Sequence, residues 1–311
     1  MTGDQRPPLI VILGPTAVGK TGLALRLAQA LNGEIIGADS RQIYRYMDIG
    51  TAKPTPKEQR IVPHHMIDLI DPADTLSLAS YQRMAYDAID AVHDRGHVPL
   101  LVGGTGQYLS AVTEGWSIPE VPPNYELRAE LEQFADEHGA DALHARLMAH
   151  DPAAAMKIHP NNIRRVVRAL EVSIETGQPI SELQKKQPPP YRLLQIGLDL
   201  ERKKLYERAN ARVDQMMENG FLEEVQGLLD MGYDRSLPAM SGLGYAQLTA
   251  HLLNGVPLQE AIENTKAATH DFIRRQYTWF RGHDNGILWH NVERTDVDQL
   301  VRLCARWLRN E

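Results

Sequence analysis

Gly14-Pro15-Thr16-Ala17-Val18-Gly19-Lys20-Thr21 decides the fold. The octapeptide fits G-x-x-x-x-G-K-[ST]. It follows the apolar run Leu9-Ile10-Val11-Ile12-Leu13 and precedes the helix-forming Gly22-Leu23-Ala24-Leu25-Arg26-Leu27-Ala28. Strand, loop and helix in that order give the pattern a physical meaning. Glycine lets the backbone close round an anion. Successive N–H groups and the helix N-terminus then point at it. Lys20 adds a point charge, and the Thr21 hydroxyl is the expected ligand for Mg²⁺. Such loops are nucleotide-binding and ATP-binding elements. The ligand here is a polyphosphate or a diphosphate, and the loop alone does not choose between them.

Outward from the loop, the pattern alternates. Helix 20–31 leads to a short strand, Glu34-Ile35-Ile36-Gly37-Ala38, ending at Asp39-Ser40. His65-Met66-Ile67-Asp68-Leu69 reads as a third strand. A helix over 78–95 stops at Gly96, and Val98-Pro99-Leu100-Leu101-Val102 is a buried strand ending in Gly103-Gly104-Thr105-Gly106. Alternating strands and helices imply a parallel sheet, with ligands beyond the C-terminal strand ends. After Trp116 the texture changes. Ile118-Pro119-Glu120-Val121-Pro122-Pro123 and Gln187-Pro188-Pro189-Pro190 read as linkers around helices 125–149 and 162–176. Leu193–Leu198 returns to the sheet. Helices near 201–217, 221–231, 244–253 and 258–281 come next, with a late strand at Ile287-Leu288-Trp289. The expected class is α/β: a P-loop parallel-sheet core, 1–117 and 190–311, with an inserted all-helical domain, 118–189.

At 311 residues the chain is longer than one ordinary domain, and 43% hydrophobic content is ample for a core. No run of ~18 apolar residues occurs, so no membrane span is expected. Met1-Thr2-Gly3-Asp4-Gln5-Arg6-Pro7-Pro8 does not read as a signal peptide. Cys304 is the single cysteine, which excludes internal disulfides and Cys-rich zinc sites; a reduced, cytoplasmic protein is expected. The histidines, His64-His65 included, lack metal-ligand spacing. A net charge of −7 argues against a uniformly basic surface but permits a local nucleic-acid site. The stretch from Pro152 to Leu170 holds Lys157, Arg164, Arg165 and Arg168 and no acid. A second basic group, Arg274, Arg275 and Arg281, interleaves with Tyr277, Trp279 and Phe280. Either patch suits phosphates and unstacked bases, or is a solvated helix face.

Asp39-Ser40-Arg41-Gln42 comes directly after a strand, so the Asp39 carboxylate is a candidate metal ligand or general base; capping of a helix is the alternative. Nucleotide hydrolases usually hold their metal with an Asp ending an apolar strand. Here the best such strand ends in Gly-Gly-Thr, which leans away from a motor-type ATPase. Arg208 and Arg212, four apart on one helix, are candidates to grip a departing diphosphate, or are surface arginines near Glu201 and Glu207.

Together these segments resemble the bacterial tRNA dimethylallyltransferases. The matching residues are the Gly14–Thr21 loop, Asp39-Ser40-Arg41-Gln42-Ile43-Tyr44, Asp48-Ile49-Gly50-Thr51-Ala52-Lys53-Pro54 and Val102-Gly103-Gly104-Thr105-Gly106-Gln107-Tyr108. Then come His159-Pro160-Asn161-Asn162 with Arg165, Arg168-Ala169-Leu170-Glu171-Val172, Gly244-Tyr245 and Arg275-Gln276-Tyr277-Thr278-Trp279-Phe280-Arg281. They run in family order over nearly the whole chain. The resemblance implies transfer of a dimethylallyl group from dimethylallyl diphosphate to N6 of the adenine 3′-adjacent to the anticodon, with Mg²⁺ as cofactor. It implies Asp39 as the base, Thr105 and Arg212 at the reacting centre or diphosphate, and Ser40, Arg41 and Gln42 around a flipped adenine. The insertion, with Arg164, Arg165 and Arg168, would contact the tRNA anticodon stem-loop, as would Arg274, Arg275, Gln276 and Arg281. A monomer is expected. Ala246 replaces the family's usual basic residue, Thr269-His270 its Thr-Arg, and Asn162-Ile163-Arg164 a common Asp-Pro-Gln. Three rivals remain: a prenyltransferase of free adenine nucleotides, an ATP-using kinase and a non-catalytic RNA-binding module.

Overall fold

The computed structural model describes residues 4–283 and 286–311. Met1–Gly3, part of the N-terminal stretch that does not read as a signal peptide, lie outside them. The chain divides into two compact units: residues 1–113 with 189–311, and residues 114–188. The first break falls at Thr113/Glu114, ahead of the proline-rich stretch, because the two ends of the insertion pair with each other. Trp116 bridges Lys186, and the Ser117 N–H donates to the Lys185 carbonyl at 2.7 Å.

The larger unit opens with β1 (Pro8–Leu13), α1 (Lys20–Leu31), β2 (Gly33–Ala38), α2 (Pro56–Ile61), β3 (His64–His65), α3 (Leu78–Asp94), β4 (Val98–Gly103) and α4 (Gly106–Thr113). The smaller unit holds α5 (Tyr125–His138), α6 (Ala140–His150), α7 (Pro152–Ala155), α8 (Ile163–Thr176) and α9 (Ile180–Leu183). The chain then returns to the larger unit with β5 (Arg192–Asp199), α10 (Arg202–Glu218), α11 (Phe221–Asp230), α12 (Tyr245–Asn254), α13 (Leu258–Gly282), β6 (Leu288–Asn291) and α14 (Val297–Leu308). The sheet is wholly parallel, in the order β3-β2-β4-β1-β5-β6. Alternate residues of β1 serve opposite faces. Leu9, Val11 and Leu13 join one core with Ile36 and Leu101; Ile10 and Ile12 join the other with Ile35 and Leu100. Helices cover both faces, which is why the strand is apolar at every step. In the smaller unit, α5, α6 and α8 close round Leu131, Leu143, Leu147, Val166 and Leu170.

Several expectations need correction. The strand at 65–69 ends after His65, because Met66 and Asp68 take left-handed backbone, φ 64 and 52, that no strand can carry. Helix 125–149 is two helices, broken at Gly139, whose φ of 90 lies outside helical geometry. Helices α2, α4, α7, α9 and α14 escaped the sequence pattern. The first four are short. The last buries Leu300 and Cys304 beneath α1 and comes directly after an edge strand.

The far end of β2 is anchored by Glu34, whose side chain is only 2% exposed. It accepts from Arg95 at 3.0 and 2.7 Å and lies 2.6 Å from His65 and 2.5 Å from His97. The Arg95 guanidinium above all holds its pKa down at about 2, against an ordinary 4.5. Folding therefore gains from the carboxylate above the unfolded-state value, and the gain drains away as pH falls from about 5 towards 2. Glu34→Gln should cost on the order of 2–3 kcal/mol at pH 7. Thermal melts of both proteins from pH 7 to pH 3 should show the difference narrowing.

Candidate active site

The phosphate loop joins β1 to α1. Gly14 and Gly19 adopt φ 146 and 107. A side chain on Gly14 would also strike the Leu198 carbonyl, 2.7 Å from a Cβ. No side chain caps α1, so its first N–H groups remain available to an anion. The Lys20 ammonium folds back and donates to the Gly14 and Pro15 carbonyls at 2.9 and 2.7 Å. Desolvation of that ammonium, with the Arg212 charge nearby, pushes its pKa down to about 7; Asp39 pulls the other way.

Arg212 comes from α10 and is half-buried. Burial lowers its pKa too, again opposed by Asp39. Its guanidinium makes no hydrogen bond or ion pair with another described residue. Arg208, one turn earlier, is exposed. Two cations thus stand partly stripped of water with one carboxylate between their fields. Such an arrangement favours binding of an anion.

Asp39 stands directly after β2, where its Oδ1 accepts from the Arg41 N–H at 2.8 Å. Residues 40–43 form a turn, so the carboxylate caps no helix. Thr105, after β4, ties the neighbouring strand end to this turn. Its N–H donates to the Ala38 carbonyl at 3.2 Å; its Oγ1 accepts from the Ser40 N–H at 3.0 Å and donates to Ser40 Oγ at 3.3 Å. Gly103 permits this closeness, since a Cβ there would lie 2.0 Å from the Ala38 oxygen.

Gln276 is placed elsewhere than the RNA surface expected for it. It is 5% exposed, on the inner side of α13. Its Oε1 accepts from the Thr16 N–H at 2.9 Å, and its Nε2 donates to the Gly104 carbonyl at 2.9 Å. One amide so rivets the phosphate loop to the turn after β4. The buried positions Thr269, Ile273, Gln276 and Phe280 obey helical spacing and carried that signal. Arg41 and Gln42 also have structural partners. The Arg41 guanidinium donates to the Pro238 carbonyl at 2.7 Å and to Ser241 Oγ at 3.2 Å. Gln42 Nε2 donates to the Thr51 and Ala52 carbonyls at 3.1 and 3.0 Å. Arg274 pairs with Asp271, while Arg275 and Arg281 lie over the Phe272 and Tyr277 rings, all on the exposed side of α13.

Tyr81 was not singled out from the sequence, and Tyr108 entered only as the end of a matching segment. Their rings stack at 3.6 Å, and the Tyr81 hydroxyl donates to the Gly37 carbonyl at 2.9 Å. Burial raises both phenol pKa values, and the Asp39 charge adds to each. An apolar aromatic wall therefore flanks the carboxylate.

In the smaller unit, Arg164 and Arg165 are exposed on α8. Arg168 is committed inward, donating to Glu171 at 2.5 Å and to the Val121 carbonyl at 3.1 Å. Arg128 grips the same buried carboxylate at 2.8 and 2.9 Å.

Thr21 fits an oxygen-seeking Mg²⁺. Its residue is exposed in the first turn of α1, and its hydroxyl has no hydrogen bond to another described residue. Among the described residues no group of three His, Cys, Asp or Glu could hold a metal unaided.

Comparison with known proteins identifies relatives over nearly the whole chain. The profile described as IPP transferase matches residues 42–283, and that described as isopentenyl transferase matches residues 7–68. A tRNA dimethylallyltransferase of Chloroflexus aggregans is 57% identical over 90% of this chain and 95% of its own. One from Roseiflexus sp. strain RS-1 is 53% identical over 97% and 99%. A solved tRNA isopentenylpyrophosphate transferase of Bacillus halodurans is 41% identical, covers 98% of both chains and superposes with a TM-score of 0.73. A eukaryotic dimethylallyltransferase, described as acting on tRNA, is 26% identical with a TM-score of 0.82, covering 98% of this chain and 80% of its own.

The depressed Lys20 pKa has a measurable consequence. A bound anion favours the protonated ammonium, so the lysine contributes most to binding below about pH 7. Titration of inorganic diphosphate into the protein and its Lys20→Met variant should show a wild-type advantage that shrinks as pH rises from 6 to 9. An advantage unchanged with pH would contradict the desolvated ammonium.

Proposed function

We infer the function from membership: this chain belongs to the IPP transferase family and is a prenyl-transferring enzyme that modifies tRNA. We propose dimethylallyl diphosphate as its donor and N6 of the adenine 3′-adjacent to the anticodon as its acceptor. The observation that carries this reading is the Lys20–Arg212 pair of desolvated cations beside the Asp39 carboxylate.

Those groups supply the chemistry. The allylic C–O bond breaks as charge builds on the leaving diphosphate. Lys20, Arg212 and the N–H groups of the loop stabilise that charge in a site already poor in water. Mg²⁺ on the Thr21 hydroxyl would supply further neutralisation of the diphosphate when bound. The adenine amine is a weak nucleophile, because its lone pair is delocalised into the ring. As the C–N bond forms, Asp39 takes the N6 proton. Thr105 and the Arg41 N–H hold the turn that aims the carboxylate. The adenine must leave its stack to arrive there. The aromatic wall of Tyr81 and Tyr108 shields the donor's developing allylic cation from water. Arg164 and Arg165, exposed and free of the Glu171 network, contact RNA phosphates. The acting species we propose is a monomer. Among the described residues no helix is long and apolar enough to cross a membrane, compatible with action in the cytoplasm.

The direct test mixes the protein, Mg²⁺, dimethylallyl diphosphate and an anticodon stem-loop with adjacent adenines. Digestion should release an adenosine heavier by one dimethylallyl group. ATP turnover without prenylation would support a kinase instead. Asp39→Ala should lower the transfer rate by about 10²–10⁴-fold and leave RNA affinity nearly unchanged; equal loss of both would refute the base. Arg165→Ala should reduce the slope of log affinity against log salt by about one. An unchanged slope would move the phosphate contact elsewhere.

A further inference from the structure

We propose that Tyr46 and Tyr233 form a stacking platform for an unpaired RNA base near the adenine that reacts at Asp39. The proposal rests on the tRNA-modifying function of the Asp39 site.

Tyr46 is 50% exposed, so its ring is open to a partner from solvent. Its backbone is left-handed, φ 66, where a side chain is disfavoured and glycine is at ease. The chain thus spends stability to present this ring. Strained, exposed residues of this kind concentrate at functional surfaces. The backbone that carries the ring is pinned. The Arg45 N–H donates to the Ile70 carbonyl at 3.0 Å, and Tyr44 bridges Ile70. Tyr233 lies across from it, ring centroids 6.5 Å apart and planes within 25°. Tyr233 is itself fixed, its hydroxyl donating to Asp71 Oδ2 at 2.7 Å. Two nearly parallel rings so stand at the surface, one of them pinned by Asp71.

Their place in the chain links them to the site. Tyr46 lies in the loop that follows Asp39 and β2, and seven residues span at most about 24 Å. The Arg41 bonds to Pro238 and Ser241 draw the segment after Tyr233 to that turn. The local charge selects the part of RNA that binds. Asp71 and Asp74 beside Tyr233 disfavour a phosphate, whereas a neutral base face suits aromatic rings. An adenine can be extruded only if its loop is held open, and a stacked neighbour does that.

The test uses Tyr46→Gly, Tyr46→Phe and Tyr233→Phe, with a stem-loop carrying 2-aminopurine at single positions flanking the target adenine. In the wild type, one flanking probe should be quenched on binding. Tyr46→Gly should lose that quenching and raise the RNA KM by about ten-fold, while the donor KM stays constant. It should also melt no lower than wild type, because the left-handed strain is relieved. Tyr46→Phe should restore both RNA readouts, and Tyr233→Phe, freed from Asp71, should weaken them partially. Unaltered quenching and RNA KM in Tyr46→Gly would overturn the platform, as would quenching at no flanking position in the wild type. Should the wild type bind and quench the stem-loop without prenylating it, the function falls and the platform stands.

Discussion

Two cations stand within the field of a single carboxylate at the mouth of a parallel sheet, and that imbalance of charge governs the molecule. Lys20 and Arg212 have each lost part of their hydration, and Asp39 cannot satisfy both. A folded protein tolerates such a deficit only if a ligand completes it or surrounding structure enforces it. Here the enforcement is visible. The Lys20 ammonium leans on two carbonyls of its own loop, and Gln276 locks that loop against the turn after β4. Thr105 and Ser40 lock the β4 turn to the β2 turn. Three strand ends, carrying the cation, the hydroxyl and the carboxylate, become one rigid constellation.

Glycine makes that closeness sterically possible. Gly14, Gly103 and Gly104 stand where a Cβ would meet a carbonyl or the Gln276 amide at 2.0 to 2.7 Å. Opposite the site, Glu34 gathers Arg95, His65 and His97, so β2 is held at both ends. The strand that delivers Asp39 therefore has little freedom to move its carboxylate. General-base transfer from a poor nucleophile depends on such fixed geometry.

Much of this was legible in the sequence, because local rules agree with the fold. Leu9–Leu13 leading into the glycine-rich octapeptide can hardly fold otherwise than as strand, loop and helix. The run Val98–Val102 declared itself by continuous apolarity, and Leu193–Leu198 by an apolar run interrupted at Gln195 and Gly197. What the sequence hid was set by tertiary context. Gln276 sits in a basic, aromatic segment that reads as a nucleic-acid surface, yet helical periodicity turns its amide inward. Arg168 belongs to a basic cluster, but the buried Glu171 claims it. The left-handed residues Met66 and Asp68 truncate a segment whose composition says strand. Tyr81 and Tyr108 lie 27 positions apart, and nothing local announces that their rings stack beside Asp39.

The central claim is that one cradle holds the leaving group while one carboxylate receives the proton. A crystal structure of the protein with a non-reactive thio analogue of dimethylallyl diphosphate, Mg²⁺ and an anticodon stem-loop tests it most directly. The diphosphate should lie against the Gly14–Thr21 loop within hydrogen-bond reach of Lys20 and Arg212, with an extruded adenine N6 within about 3 Å of an Asp39 oxygen. A diphosphate seated away from Lys20, or an adenine whose N6 faces a group other than Asp39, would contradict it.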